Sequence, residues 1–386
     1  MRLHIEPALL EVPLHPLFER AGLVQHIGHL AARVRLAQHI LLREPAVRAH
    51  HQQFLHERHA AEQPLEEERP GLVGLSCLTD FMPTSVVLIR AAKELGAATV
   101  MGGPHPTIAP QATMTSIPEL DYALVGEAEK SLPALAASLE AGGLSAPIPG
   151  LYYREGGEVR LSAPPEIIED LDWVPIPDRE LLDVNREYLR ARAINLHASR
   201  GCPFRCRFCQ PTLERMFGKK VRFMGPARVA AEIEFYHQKY GFHDFFFHDD
   251  TFTINKKWLA GLVEALGRKD LVKGFRYVVN SRVDTFDEER AALLKEMGVY
   301  YVLFGLESGS QAVLDSIAKG TTLEEARQSF RICRKFKFRT HAYVLLGAPS
   351  ETSQSLKATE DFVAELRPNT VPVSYTHLTL PTKRIV

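Results

Sequence analysis

The sequence predicts an α/β protein, an incomplete doubly wound parallel sheet followed by a partial (β/α) barrel. Two observations carry this. From Gly71 onward, short apolar runs bounded by Gly and Pro alternate with helical periodicity, the pattern of parallel sheets. From Ile194, five strand–helix units follow one another, the pattern of a barrel whose chemistry lies at the carboxyl ends of its strands. The chain of 386 residues has room for two cores, and its 45% hydrophobic and 24% charged residues are ordinary for a globular protein. A formal net charge of -1 excludes a global basic field for nucleic acid. There is no apolar run of membrane-spanning length and no charged-then-apolar leader, so a cytoplasmic protein without a transmembrane segment is expected.

Residues 1–70 stand apart. They hold nine of the sixteen histidines but no Asp, Asn, Lys, Ser, Thr, Tyr, Trp or Cys. Without Asp, Asn and Ser the usual caps and turns are missing. Two readings are open: a Leu/Ala/Arg/Glu-rich helical extension, or an out-of-frame translation of GC-rich DNA. The histidines show no metal-ligand spacing.

Residues 71–141 form the first predicted domain. Leu72–Leu78, Ala97–Met101 and Tyr122–Val125 read as strands, with helices through Val86–Leu95 and up to about Leu139. In such sheets ligands sit beyond the carboxyl ends of the strands. Those ends carry Ser76, Leu78 and Thr79, then Gly102 and Gly103, then Gly126 and Glu127. The glycines either admit a ligand close to the backbone or only make tight turns.

Residues 142–193 read as a linker containing a hairpin, Tyr152–Arg160, around Gly156-Gly157. The barrel is expected over residues 194–371. Its strands are Ile194–Ser199, Asp244–His248, Phe275–Asn280, Tyr300–Leu306 and Thr340–Leu346. Its helices are Ala227–Tyr240, Lys256–Leu266, Asp287–Met297, Leu323–Lys335 and Glu351–Glu365. Pro372–Thr382 (PVSYTHLTLPT) resembles a translated sequencing adapter, which implies an artefactual tail over 372–386 and a barrel cut short in its sixth strand.

Three of the five cysteines, Cys202, Cys206 and Cys209, fall within eight residues directly after a predicted strand. Three thiolates ligate three irons of a cubane and leave the fourth iron open for substrate. Arg200, Arg205 and Arg207 are placed to offset the cluster's negative charge. Zinc, the alternative, prefers paired cysteines separated by a longer stretch. Cys333, on a predicted helix, reads as a core thiol, and so does Cys77.

The spacing C-x₃-C-x-Phe208-C resembles the signature of the radical S-adenosylmethionine (SAM) superfamily, and further motifs of that family follow in order. Phe247-His-Asp249-Asp250-Thr-Phe252 is similar to the segment that meets the methionine amino group. In Asn280-Ser-Arg282-Val-Asp284, Arg282 resembles the residue facing the methionine carboxylate. In Gly305-Leu-Glu307-Ser308-Gly309, Glu307 and Ser308 match positions contacting ribose and methionine. Leu346-Gly347-Ala-Pro-Ser-Glu-Thr352 resembles the segment beside adenine. Singly, each has a structural reading: the aspartates as helix caps near Asn255, Glu307 as a partner of a lysine, Arg282 as a solvated charge.

The resemblance implies a (β/α)6-type radical SAM barrel with a [4Fe–4S] cluster, which cleaves SAM reductively to a 5′-deoxyadenosyl radical, fed by an electron donor such as flavodoxin or ferredoxin. Residues 71–141 resemble the later half of the Rossmann-like cobalamin-binding domain that precedes many such barrels, which makes cobalamin a further expected cofactor. No Asp-x-His-x-x-Gly motif supplies an axial histidine, and His105 reads as a loop residue in the pocket wall. The leading expectation is a cobalamin-dependent methyltransferase acting on a small-molecule, lipid or tetrapyrrole-like substrate. The alternatives are a radical oxidoreductase or cyclase without methyl transfer, resembling the magnesium-protoporphyrin ester cyclase, or an inactive truncated fragment. A methylthiotransferase needs three more cysteines, and only Cys77 precedes Cys202.

Overall fold

The structure is a computed structural model. It describes residues 65, 67–179, 193–209, 212–371 and 373–375. The readings made of residues 1–64 and of the tail beyond Tyr375 lie outside the described residues. The chain divides into two compact units, one including residues 71–169 with 209–220 and the other including 170–208 with 221–375.

The first unit is built on five strands in the order β1 to β5. β1 (Leu72–Ser76), β2 (Ala98–Gly102) and β3 (Tyr122–Leu124) run parallel. β4 (Leu151–Glu155) and β5 (Glu158–Leu161) are antiparallel, with Gly156 and Gly157 at positive φ in the turn. The hairpin read as part of a linker is therefore hydrogen-bonded onto β3, and the sheet is longer than residues 71–141 alone would make it. Helices α1 (Met82–Glu94), α2 (Pro104–Ile108), α3 (Pro110–Ser116) and α4 (Ser131–Glu140) flank it. Cys77, Ile89, Met101, Met114 and Leu120 pack one cluster of buried side chains, and Val100, Leu124, Leu135 and Leu151 another. α2 and α3, which the sequence reading did not include, each open on a proline, Pro104 and Pro110, which fits the first turn of a helix. α5 (Thr212–Phe217) also belongs to this unit.

The second unit holds a six-stranded, all-parallel sheet: β6 (Ala193–Leu196), β9 (Asp244–Phe247), β10 (Arg276–Ser281), β11 (Val299–Glu307), β12 (Arg339–Leu346) and β13 (Val373–Tyr375), adjacent in that order. β7 (Ser199–Arg200) and β8 (Arg222–Phe223) form a short separate pair. Each long strand is followed by a helix: α6 (Pro226–Tyr240), α7 (Lys256–Arg268), α8 (Glu288–Met297), the short α9 (Gln311–Ser316) with α10 (Leu323–Phe336), and α11 (Ser353–Leu366). These starts are encoded locally. Asn255 caps α7 through Trp258 N at 3.0 Å, Asp287 caps α8 through Arg290 N at 2.7 Å, and Thr322 with Glu325 forms a capping box on α10. Gly241 and Gly298, both left-handed, end α6 and α8. One sheet face packs on the helices through Phe304 against Phe330 of α10, and through Phe247 against Phe252, which in turn meets Trp258 of α7. The sixth strand, β13, lies within the segment read as adapter and pairs Val344–Leu346 with Val373–Tyr375. Among the described residues no helix is long and apolar enough to cross a membrane.

Candidate radical centre and cobalamin-domain loops

The carboxyl ends of β9, β10 and β11 converge on the cysteine loop. Cys206 is buried and Cys202 and Cys209 are half-buried; none is in a disulfide. Cys202 Sγ lies 4.0 Å from Thr251 Oγ1, and Arg282 Nη1 donates to Cys206 Sγ at 3.4 Å. Burial pushes the Cys202 thiol up, nearby Asp250 adds to this, and a backbone donor at Phe204, the Thr251 hydroxyl and Arg282 oppose it. Among the described residues no three His, Cys, Asp or Glu are gathered for a single metal ion. A cubane asks for something else, one thiolate per iron on separate corners. Half-buried thiols with a guanidinium on one sulfur fit such an anionic cluster.

Arg282 sits directly after β10, where its motif puts it. It is 4% exposed, so the reading as a solvated charge fails. Nε and Nη2 each donate to Asp284 at 2.9 Å, Nη2 also donates to Lys319 O at 2.7 Å, and the guanidinium stacks 3.6 Å from the Phe204 ring centroid. Arg282 thus places a positive charge on a cysteine sulfur, the role that the sequence led one to expect of Arg200, Arg205 and Arg207. Arg207 instead ties the loop to the end of α9, through its amide to Ile317 O at 2.8 Å and Nη1 to Ser316 O at 3.0 Å.

The two adjacent aspartates separate. Asp249 is 1% exposed and accepts from Ala198 N and the Ser199 hydroxyl, which fastens the carboxyl end of β9 to the segment entering the cysteine loop. Burial pushes its carboxyl up to about 6 in spite of those donors. Asp250 is exposed, and desolvation raises its pKa as well. Neither caps α7, a role that belongs to Asn255.

Glu307 does pair with a lysine. Lys319 Nζ donates to Glu307 Oε1 at 2.8 Å, both side chains are nearly buried, and Nζ lies 5.6 Å from the Phe208 ring centroid. Glu307 has φ +64, and Ser308 N donates to Leu306 O at 2.9 Å, closing a tight turn at the end of β11. A Cβ on Gly305 would fall 2.6 Å from Glu307 Oε1 and 2.7 Å from Lys319 Nζ, so a side chain there would push the pair out of this arrangement. Ser308 Oγ meets Thr359 Oγ1 at 3.1 Å and accepts from Ser310 N at 3.1 Å. Gly347 N donates to Glu351 Oε2 at 2.7 Å with Gly347 at φ +88, and Phe208 is 36% exposed. Lys319 is the residue that sequence reasoning missed. Its only signal is a lone cation after the apolar Val313, Leu314 and Ile317; the pairing with Glu307 is tertiary.

In the first unit a web of hydrogen bonds joins the carboxyl ends of β1, β2 and β3. His105 N donates to Cys77 O at 3.0 Å, and the His105 ring lies 3.0 Å from Thr79 Oγ1. Thr107 Oγ1 donates to Gly103 O at 2.7 Å and accepts from Gly126 N at 3.1 Å. A Cβ on Gly103 would lie 2.9 Å from both Cys77 N and Ser76 Oγ, so close backbone approach, not only a turn, demands glycine. Leu78 is 49% exposed beside them. Glu127 is buried and accepts from Ile168 N at 2.9 Å, a structural engagement. Exposed Leu78 next to a glycine-lined strand edge fits a flat macrocycle laid across strand ends. Cys333 and Cys77 are fully buried, and burial drives the Cys333 thiol far upward.

Comparison with known proteins agrees with this geometry. The Radical SAM superfamily profile matches residues 196–363, and the B12 binding domain profile matches residues 43–136. "Uncharacterized methyltransferase PH0819" of Pyrococcus horikoshii is 33% identical over 316 residues, 81% of this chain and 67% of that protein. The anaerobic magnesium-protoporphyrin IX monomethyl ester cyclase of Rubrivivax gelatinosus is 28% identical over 313 residues, 78% of this chain and 55% of the cyclase. The chain therefore spans about two thirds of the first relative and about half of the second. The fold is shared with the radical SAM methyltransferase TsrM of Kitasatospora setae (TM-score 0.69, 23% identity, 82% of this chain and 64% of TsrM). It is shared too with the cobalamin-dependent enzyme OxsB (TM-score 0.65, 21% identity, 78% of this chain and 44% of OxsB). With a [4Fe–4S] cluster, SAM and cobalamin as its cofactors, the chain belongs to the radical SAM superfamily, in the branch that carries a B12-binding domain.

Proposed function

We propose that the protein is a cobalamin-dependent radical SAM methyltransferase. The carrying observation is the Arg282 guanidinium on Cys206 Sγ, backed by Asp284 and ringed by the Glu307–Lys319 pair at the same strand ends. When bound, the cluster supplies the electron that breaks the sulfonium C–S bond, and cobalamin supplies a methyl carrier. The chain's own residues do the remaining work. Cys202, Cys206 and Cys209 would hold the cluster, which would supply a site for SAM. Asp250 faces the amino group. Arg282 holds the cluster's charge at a fixed place. Glu307 and Ser308 meet ribose and methionine, while Phe208 and the backbone at Gly347 flank adenine. Ser76, Leu78, Thr79, Gly102, Gly103, Gly126 and Glu127 form or brace the cobalamin cradle. Substrate and electron donor follow as a small organic molecule and a flavodoxin- or ferredoxin-type protein.

The test is anaerobic reconstitution with iron and sulfide, then electron paramagnetic resonance of the reduced protein with and without SAM. A [4Fe–4S] signal that shifts on adding SAM and is lost in Cys206→Ala is expected; well-folded protein without a cluster would refute the reading. The cyclase relatives favour a second reading, oxidation or ring closure without methyl transfer. Product mass separates the two, a methyl gain against loss of hydrogen or addition of oxygen.

A further inference from the structure

α5 (Thr212–Phe217) follows the last of the clustered cysteines in sequence but packs within the first unit, at the carboxyl end of β3. A Cβ on Gly126, just past that end, would lie 3.6 Å from Met216 O, 3.9 Å from Arg215 O and 3.7 Å from Pro165 Cβ, so Gly126 is already enclosed by α5 and Pro165. α5 also packs on α2, the helix that follows β2. Arg215 Nη1 donates to Ile108 O at 2.6 Å, a carbonyl in the last turn of α2, where the helix itself supplies no donor. Gly218, left-handed at φ +76, ends α5 with its amide on Glu214 O at 2.9 Å.

This cover is close but lightly fastened. No side chain of α5 is buried: Leu213, Met216 and Phe217 are half-buried, and Glu214 and Arg215 are exposed. The two clusters of buried side chains that pack the sheet take none of their members from α5. The ion pair of Lys219 with Glu214, at 3.4 Å, lies within the segment itself. An element that buries little apolar area opens at a small fraction of the free energy needed to unfold its domain. A corrin laid across these strand ends needs the space over Gly126. The carbonyls of Arg215 and Met216 stand at contact distance from a single added carbon there, so no flat ring fits between them and β3 while α5 keeps this place.

We propose that α5 is a lid on the cobalamin cradle, seated here in its closed position over the end of β3, and that Arg215 is its latch. Opening lifts α5 off Gly126, breaks the bond from Arg215 to Ile108 O and admits the corrin. A binding-competent state that is populated only in part lowers the apparent affinity by that fraction, so the latch sets both how fast and how tightly cobalamin is taken up. The proposal rests on reading these strand ends as the cobalamin cradle, a reading in which Arg215 has no part.

The probe is hydroxocobalamin, mixed in excess with the full chain reconstituted anaerobically, and its uptake and release are followed by absorbance. Arg215→Met, which removes the donor and keeps the stem, should speed uptake about three- to tenfold and leave the release rate unchanged. Arg215→Lys, which keeps a donor, should stay closer to wild type. In the wild type, tryptic cleavage after Lys219 and Lys220 should quicken when hydroxocobalamin binds, because α5 has left its seat. Uptake at the wild-type rate in Arg215→Met would overturn the proposal. So would faster release from that variant, since α5 would then be a wall that touches the bound ring. Protection of Lys219 and Lys220 by hydroxocobalamin would overturn it as well, and this readout needs no variant. If well-folded wild type and Arg215→Met both fail to take up hydroxocobalamin, the cradle reading itself has failed and the lid with it; uptake by Arg215→Met alone would show a lid latched shut.

Discussion

Neighbouring residues of like chemistry serve different ends here, and burial decides which. Asp249 holds its proton more tightly folded than unfolded, with a carboxyl at about 6 against an ordinary 3.8. The folded state therefore binds more protons between those values, and its stability falls as pH rises from about 4 to 6. Asp249→Asn removes that slope. Urea unfolding across this range should show wild type losing up to about 3 kcal/mol relative to the variant, at about 1.4 kcal/mol per pKa unit; parallel curves would refute it. The Glu307–Lys319 pair is the second case. Lys319→Met strands Glu307 in a site where it is 8% exposed, which costs about 3–5 kcal/mol. Replacing both partners, Glu307→Gln with Lys319→Met, should recover a good part of that in the same assay. No recovery would mean that the loss in Lys319→Met does not come from an uncompensated charge on Glu307.

At the scale of elements, the strands and long helices of the barrel were legible because apolar periodicity, caps and terminal glycines agree in each. Lys256–Leu266 was read and Lys256–Arg268 found; Leu323–Lys335 was read and Leu323–Phe336 found. The placement of Asp249, Arg282, Glu307 and Gly347 at strand ends was legible too. What pattern could not supply was register and close approach. The irregularity between Gly305 and Glu307 in β11, which turns Glu307 toward Lys319, depends on a neighbour twelve positions later. Likewise nothing local shows that Gly309 touches α11, where a Cβ would lie 2.6 Å from Ala358 O and from Phe362 Cβ. Gly309→Ala should cost roughly 1–3 kcal/mol by overpacking. Gly267, inside α7, has nothing within 4 Å of a Cβ and an ordinary φ, so Gly267→Ala should stabilise by about 0.5–1 kcal/mol. Thermal unfolding of the two variants should move in opposite directions; a fall in Gly267→Ala would refute the prediction at α7, and no fall in Gly309→Ala the one at the α11 contact.

At the scale of the whole molecule, the two cofactor systems are built by different residues. In the first unit Gly103, His105 and Gly126 are held by bonds among the strand ends and α2, and in the second Cys206 is held by Arg282. A ligand stabilises the state that binds it by an amount set by its concentration over its Kd, whatever chemistry it later takes part in. Hydroxocobalamin at a hundred times its Kd should therefore stabilise the protein by about 2.7 kcal/mol. Cys206→Ala, which removes a cluster ligand, should leave this increment in place while abolishing the response to SAM. Gly103→Val, which forces a branched side chain onto Cys77 N and Ser76 Oγ at a positive φ, should do the reverse. Calorimetric scans of the three proteins with each ligand give the full comparison. Loss of both responses in either variant would mean that the two cofactors are bound by one cooperative structure, and the cradle at the carboxyl ends of β1 to β3 would then need the cluster in place to form.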